Sequence, residues 1–242
     1  SPETEPSDEL YLEMMRVCVA EPVPDEYLPM MLEEMRLKRR DPEWSKAPLE
    51  EALSGFHVLI IGAGMSGLCT GIKLKQAGIA FTIIEKNPEI GGTWYENIYP
   101  EVGCDVPNHY YSYSFRPNLD WTQYFSPGPE IEAYFKQCVT HYGLRDHIEF
   151  ESEVISAHWN EASSEWDVAI RGTNKAVEKR SAKVLVSAVG QLNRPKVVDI
   201  KGVDDFKGPA FHTARWPNRT HRSRGSPASR GLARGPCSPR SL

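Results

Sequence analysis

The run Phe56-His57-Val58-Leu59-Ile60-Ile61 is apolar at nearly every position and stops at Gly62. Such a run suits a strand covered on both faces of a parallel sheet. The pattern then changes to helical spacing from about Ser66 to Ala77, with Gly78 as a helix-ending glycine. Phe81-Thr82-Ile83-Ile84-Glu85 predicts the next strand, and 129–143 an amphipathic helix opened by Pro127 and Pro129. Farther on the period drops to two. Ile155, Ala157 and Trp159 alternate with polar neighbours, as do Trp166, Val168 and Ile170, with a turn at 160–164 between them. This predicts a β-meander within 147–190, ending in a buried strand, Val184-Leu185-Val186, that stops at Gly190. Strand and helix alternation followed by a meander is an α/β pattern.

Residues 1–53 read as a helical extension. Tyr11, Met14, Met15 and Cys18 share one predicted face, and Leu28, Met31, Leu32 and Met35 repeat the spacing. Ser7 or Asp8 is expected to cap the first helix and Asp25 the second, with a linker at Pro42 and Pro48. The extension is expected to pack on the next domain; the alternative is a lid or an oligomerisation element.

Composition changes the picture at the other end. Residues 218–242 hold six Arg, no acid, and no Val, Ile, Met, Phe, Tyr or Trp, so a disordered basic tail is expected. The other 22 of the 28 Lys and Arg face all 33 acids in residues 1–217. An acidic body is a poor binder of nucleic acid or anionic membrane. No stretch approaches the roughly 18 apolar residues that cross a bilayer, and the acidic start, SPETEPSDELYLEMM, does not resemble a targeting segment. Five cysteines without metal-ligand spacing indicate neither a metal site nor a disulfide framework, which fits a cytoplasmic setting.

The chemistry begins at Gly62-Ala63-Gly64-Met65-Ser66-Gly67, a G-x-G-x-x-G between predicted strand and helix. Gly62 allows a tight turn, Gly64 lets a pyrophosphate approach the backbone, and Gly67 permits close packing of helix on strand. The helix N-terminus favours phosphate. Glu85, 18 residues beyond Gly67, is placed to accept the ribose hydroxyls of an adenosine and disfavours a 2′-phosphate. The expected ligand is FAD or NAD. Gly91-Gly92-Thr93-Trp94 would bring amides and a flat aromatic to a long ligand; the alternative is a glycine turn with a core tryptophan.

From Glu85 to Asp105 the chain reads EKNPEIGGTWYENIYPEVGCD, and Phe206–Pro217 reads FKGPAFHTARWP. The first resembles the flavin end of Baeyer–Villiger monooxygenases, class B flavoprotein monooxygenases, through Gly91, Gly92, Trp94, Tyr99, Pro100, Cys104 and Asp105. The second matches that family's fingerprint F-x-G-x-x-x-H-x-x-x-W-P through Phe206, Gly208, His212, Trp216 and Pro217. YYSYSF at 110–115 and SAVGQLNRPK at 187–196 look like further family blocks. The acidic extension is similar to that of the 4-hydroxyacetophenone monooxygenase branch. The chain departs where the family often has Gly and Arg, here Glu101 and Gly103, and at Val189 and Lys201.

The resemblance implies a Rossmann-like FAD-binding domain of the two-dinucleotide-binding-domain flavoprotein type over residues 54–217. It implies FAD and NADPH as cofactors, and oxygen insertion from O₂ beside a ketone carbonyl through a flavin peroxide, giving an ester or lactone. It also implies site roles. Glu85 holds the ribose; Gly62, Gly64, Ser66 and Gly67 line the pyrophosphate; Gly92, Thr93 and Trp94 border the flavin half. Asp105 is the candidate catalytic group near the isoalloxazine, with Tyr111 beside it, or else a buried structural carboxylate. Val154 meets the adenine through its backbone, and His212 couples domains without moving a proton.

The family's NADPH domain, which opens with a second G-x-G-x-x-G soon after Trp-Pro, does not follow Pro217. An incomplete, inactive chain is therefore expected, with residues from about 218 read out of frame. The alternatives are a non-catalytic FAD-binding module with a partner-binding tail, and a flavin monooxygenase that oxygenates N or S.

Overall fold

The computed structural model describes residues 6–34, 50–196 and 201–217. Met35, the Pro42–Pro48 linker and the basic tail at 218–242 lie outside the described residues. The chain divides into two compact units, Ser1–Ser45 with Tyr113–Pro117, and Lys46–Ser112 with Asn118–Leu242.

In the first unit, helix α1 (Asp8–Val19) and helix α2 (Leu28–Glu34) enclose a small core of Tyr11, Leu12, Met15, Leu28 and Leu32. Ser7 caps α1, its hydroxyl accepting the Leu10 N–H. The buried face differs from the expected one, because Met14 is half exposed and Cys18 faces solvent. Leu10, Met14 and Val17 form a second apolar stripe on α1, so spacing alone did not choose between two faces. Asp25 is not a cap. Pro24 precedes a short 3-10 turn, and the Asp25 carboxylate pairs with Arg16 at 3.2 Å.

The second unit is built on a parallel sheet. Strands β1 (Val58–Ile61), β2 (Phe81–Ile84), β3 (Ile148–Glu149) and β7 (Val184–Ser187) lie in the order β3-β2-β1-β7. Between β3 and β7 come β4 (Glu153–Asn160), β5 (Glu165–Arg171) and β6 (Val177–Ala182), an antiparallel meander as expected. Side-chain alternation gives the layers. Leu59 and Ile84 face the meander, meeting Val168, Ile170 and Ala182. On the helical side, helix α4 (Met65–Gln76) lies so close that a Cβ on Gly71 would be 3.0 Å from Ile83. The short α3 (Glu50–Leu53) precedes β1, α5 (Thr93–Glu96) follows the glycine pair, and α6 (Gly128–Tyr142) buries Ile131, Phe135 and Cys138.

Two strand expectations need correction. The strand at Val184 is not buried: it is the outer strand of the described sheet, with Val184 37% exposed. Ile155 does not share the inward face of Ala157. The ladder shifts between Val154 and Ser156, so the extra residue turns Ile155 outward and puts Val154 and Ala157 against the core.

Arg180 staples the layers together. Its guanidinium meets Glu149 of β3 at 2.6 Å and Glu178 of β6 at 2.6 Å, which raises its pKa further above the ordinary value. Burial and the nearby Arg180 charge lower the pKa of His57, whose Nε2 lies 3.1 Å from Thr82 Oγ1.

Candidate functional site: a double glycine cradle

The glycine loop joins β1 to α4. Gly62 has φ +100°, outside the range comfortable for other residues, and its N–H donates to Ile84 O at 2.9 Å. Gly67 sits against it: a Cβ there would lie 1.9 Å from Gly62 O. Close helix–strand approach at this step requires glycine. Gly64 opens α4 without any side-chain cap, and no acid occupies the first turn. The positive end of that helix is therefore not neutralised by its own side chains.

The second glycine motif closes on the first. Gly91 N–H donates to Ala63 O at 3.0 Å. Gly92 has φ +54°, and a Cβ on it would stand 3.0 Å from Gly64 Cα. Two backbones thus meet with no side chain between them, leaving a cradle that a Cβ would fill. Glu85, 3% exposed, lies at the end of β2. Its Oε2 accepts the Ala63 N–H at 2.7 Å and its Oε1 the Asn87 N–H at 2.9 Å. The acid is thus tied to the loop as well as spaced from it. Each carboxylate oxygen keeps a second lone pair for a ligand hydroxyl.

Beyond the cradle, Trp94 is buried on α5, and its Nε1 donates to the Tyr111 hydroxyl at 3.1 Å. The two rings stand edge to face, 5.6 Å apart. Asp105 is exposed, so the buried structural carboxylate is not observed. Ser66 and Thr93 are exposed and Val154 is half-buried at the start of the meander. In the fingerprint segment, His212 Nδ1 accepts the Ala214 N–H at 3.1 Å, and Trp216 packs edge to face on Phe211 at 4.9 Å. Phe206 is exposed and lies over Gly208, where a Cβ would come within 2.5 Å of its ring.

An open cleft of about 690 Å³ lies between α5, the meander and this segment, lined among others by Lys86, Tyr95, Glu96, Arg171, Lys175 and Trp216. Neither the glycine loop nor Glu85, Trp94 or Tyr111 lines it. Sequence reasoning missed Ala63 and Asn87 as partners of Glu85. It also missed the Lys86–Glu96 ion pair at 2.8 Å and the buried Asn108 described below. The Ala63 contact joins residues 22 apart, and spacing carries no signal of it.

A family model described as an NAD(P)-binding Rossmann-like domain matches residues 60–127. A Baeyer–Villiger monooxygenase of Streptomyces coelicolor is 41% identical over 169 residues, 69% of this chain and 31% of the relative. The FAD-binding monooxygenase tazF of Aspergillus terreus is 40% identical over 165 residues, 66% of this chain and 29% of the relative. The chain thus spans less than a third of the length of these relatives. Among solved structures, OTEMO in complex with FAD and NADP superposes with a TM-score of 0.61 at 32% identity, over 71% of this chain and 32% of OTEMO. Cyclohexanone monooxygenase bound to ε-caprolactone gives 0.60 at 33% identity, over 67% of this chain and 33% of its own. Over the length that it shares with them, the chain belongs to the Baeyer–Villiger-type, FAD-binding monooxygenase family.

Proposed function

We propose that this chain forms the FAD-binding front of a monooxygenase that takes NADPH and O₂ and inserts one oxygen beside the carbonyl of a small-molecule ketone. The observation that carries the reading is the backbone meeting of Gly64 and Gly92 beside the buried Glu85. That cradle fits a long dinucleotide: the first glycine motif suits a pyrophosphate, and the second admits what lies beyond it.

When bound, FAD supplies the oxygen chemistry and NADPH the reducing equivalents. The chain's own residues bind and orient. Glu85 receives the adenosine ribose hydroxyls on its remaining lone pairs. Gly62, Gly64, Ser66 and Gly67 line the pyrophosphate beside the helix N-terminus. The Val154 backbone meets the adenine. Gly92, Thr93 and Trp94 border the flavin half, where buried Trp94 excludes water and Tyr111 fixes its ring. Asp105, exposed on the same loop, offers a carboxylate toward the reacting end. His212 spends Nδ1 on a backbone N–H, which suits holding the linker and not proton transfer.

Reconstitution of the purified chain with FAD tests this reading. Stoichiometric flavin retained through gel filtration, and lost in Gly64→Val, is the expected result. A chain that retains no flavin sinks it. A protein that carries this front at the relatives' full length is expected to oxidise NADPH and convert ketones to esters or lactones; oxygenation of N or S centres alone would move it to another branch of flavin chemistry.

A further inference from the structure

Asn108 is 5% exposed and lies within the loop that carries Asp105 and Tyr111. Each of its polar atoms has a hydrogen-bond partner. Its Nδ2 donates to Gln123 O, and its Oδ1 accepts the Ser126 N–H at 2.9 Å. Its own N–H donates to Tyr124 O at 3.1 Å. Its carbonyl accepts the Tyr111 N–H at 3.0 Å and the Ser112 hydroxyl at 3.3 Å. One residue therefore links the Tyr111 turn, held by its backbone carbonyl, to the segment 123–126, held by its side chain.

That segment runs into Gly128 at the start of α6. Gly128 N–H donates to Val102 O at 2.8 Å, and a Cβ on Gly128 would lie 3.4 Å from the Trp94 ring. Trp94 rests on this backbone and donates to Tyr111. The contacts form a closed circuit: Asn108 to 123–126, to Gly128, to Trp94, to Tyr111, and back to Asn108. A buried amide bonded through both its nitrogen and its oxygen holds geometry well, because any shorter side chain leaves a backbone donor and acceptor stranded.

We propose that Asn108 is the positioning residue that sets the Trp94–Tyr111 pair, and through it the wall offered to the flavin half. The flavin clause rests on the function proposed above; the positioning of the two rings does not. The Cys104 N–H also reaches this segment, donating to Ser126 O at 2.9 Å, but that bond is backbone to backbone, whereas Asn108 reaches the segment with its side chain.

The test uses the full chain. Near-ultraviolet circular dichroism of the parent minus Trp94→Phe isolates the Trp94 band. Asn108→Ala is expected to abolish that band while far-ultraviolet dichroism is retained. Persistence of the band at full intensity overturns the proposal. Asn108→Asp provides a second arm. Its carboxylate still accepts the Ser126 N–H but repels Gln123 O, so the band is expected to be missing at neutral pH. Burial raises that carboxyl's pKa, and on protonation it can donate again, so the band returns on mild acidification. Glu130 titrates on the same segment, and the parent scan is the control. A band missing at every pH overturns the proposal. In the FAD-loaded chain the quenching of flavin fluorescence by the neighbouring rings is expected to fall in Asn108→Ala. A parent that binds no FAD removes the flavin reading and leaves both dichroism arms to decide the positioning role.

Discussion

Glu85 and Ala63 are joined by a 2.7 Å hydrogen bond from the backbone of the glycine loop to a buried carboxylate. The same carboxylate takes the Asn87 N–H. Glutamine at 85 keeps one acceptor and turns an NH₂ group toward the other donor. Glu85→Gln is therefore expected to cost about 1–3 kcal/mol in chemical denaturation. It should also weaken FAD binding by at least as large a factor. Unchanged stability would show that the carboxylate does not hold the loop.

Gly67→Ala places a methyl 1.9 Å from Gly62 O, a backbone atom that cannot rotate away. We expect a loss of about 3 kcal/mol or more, read as a fall in denaturation midpoint, with dinucleotide binding lost. Gly78→Ala is the control, because nothing stands within 4 Å of a Cβ there, although its φ of +72° adds a smaller backbone strain.

Glu101, where the family resemblance leads glycine to be expected, has φ +63°. A side chain in the left-handed region is strained, and the strain exceeds the extra chain entropy that glycine brings to the unfolded state. Glu101→Gly is thus expected to stabilise the chain by roughly 0.5–1 kcal/mol. A lower melting temperature would refute this.

Acid should loosen the start of α6. Burial opposes ionisation of Glu130, but the Ser126 hydroxyl and the Thr122 N–H hold its pKa below the ordinary 4.5. A depressed folded pKa means stability that is present above the unfolded value and lost as pH falls through the folded one. The parent should therefore lose melting temperature below about pH 4.3 faster than Glu130→Gln. Parallel curves would exclude the effect.

For residues 218–242, the expected outcome concerns the gene. If they are out of frame, another frame after codon 217 encodes a strand followed by G-x-G-x-x-G. If no frame does so, the out-of-frame reading fails. Salt-sensitive nucleic-acid binding that disappears on deletion of the tail would then give the tail a role.

The first strands and the glycine loop were legible because their signals are local; the meeting of Gly92 with Gly64 was not, because it joins residues far apart in sequence. Four consecutive branched or aliphatic residues before Gly62, and the 3.6-residue period after it, need no tertiary information. The outward turn of Ile155 was not legible, because a bulge inserts one residue without any compositional mark. The two apolar stripes of α1 gave spacing no means of choosing which one is buried. Asn108 was invisible for another reason: its side chain's partners lie 15 and 18 residues away and both are backbone groups, which sequence does not distinguish. Glu101 stood out only as a departure from a family pattern, and its dihedral supplies the meaning.

The outer strand Val184–Ser187 pairs with Val58–Ile61 on one side. Among the described residues no strand pairs with its other side, which offers the hydrogen-bonding row of a sheet margin, flanked by exposed Val189 and Leu192. Such a row is a template for any extended segment, including that of a second molecule. Concentrated preparations of this chain should self-associate through added strands. Guarding that margin, for instance with lysine at Val184, is the first step toward a sample fit for the measurements above.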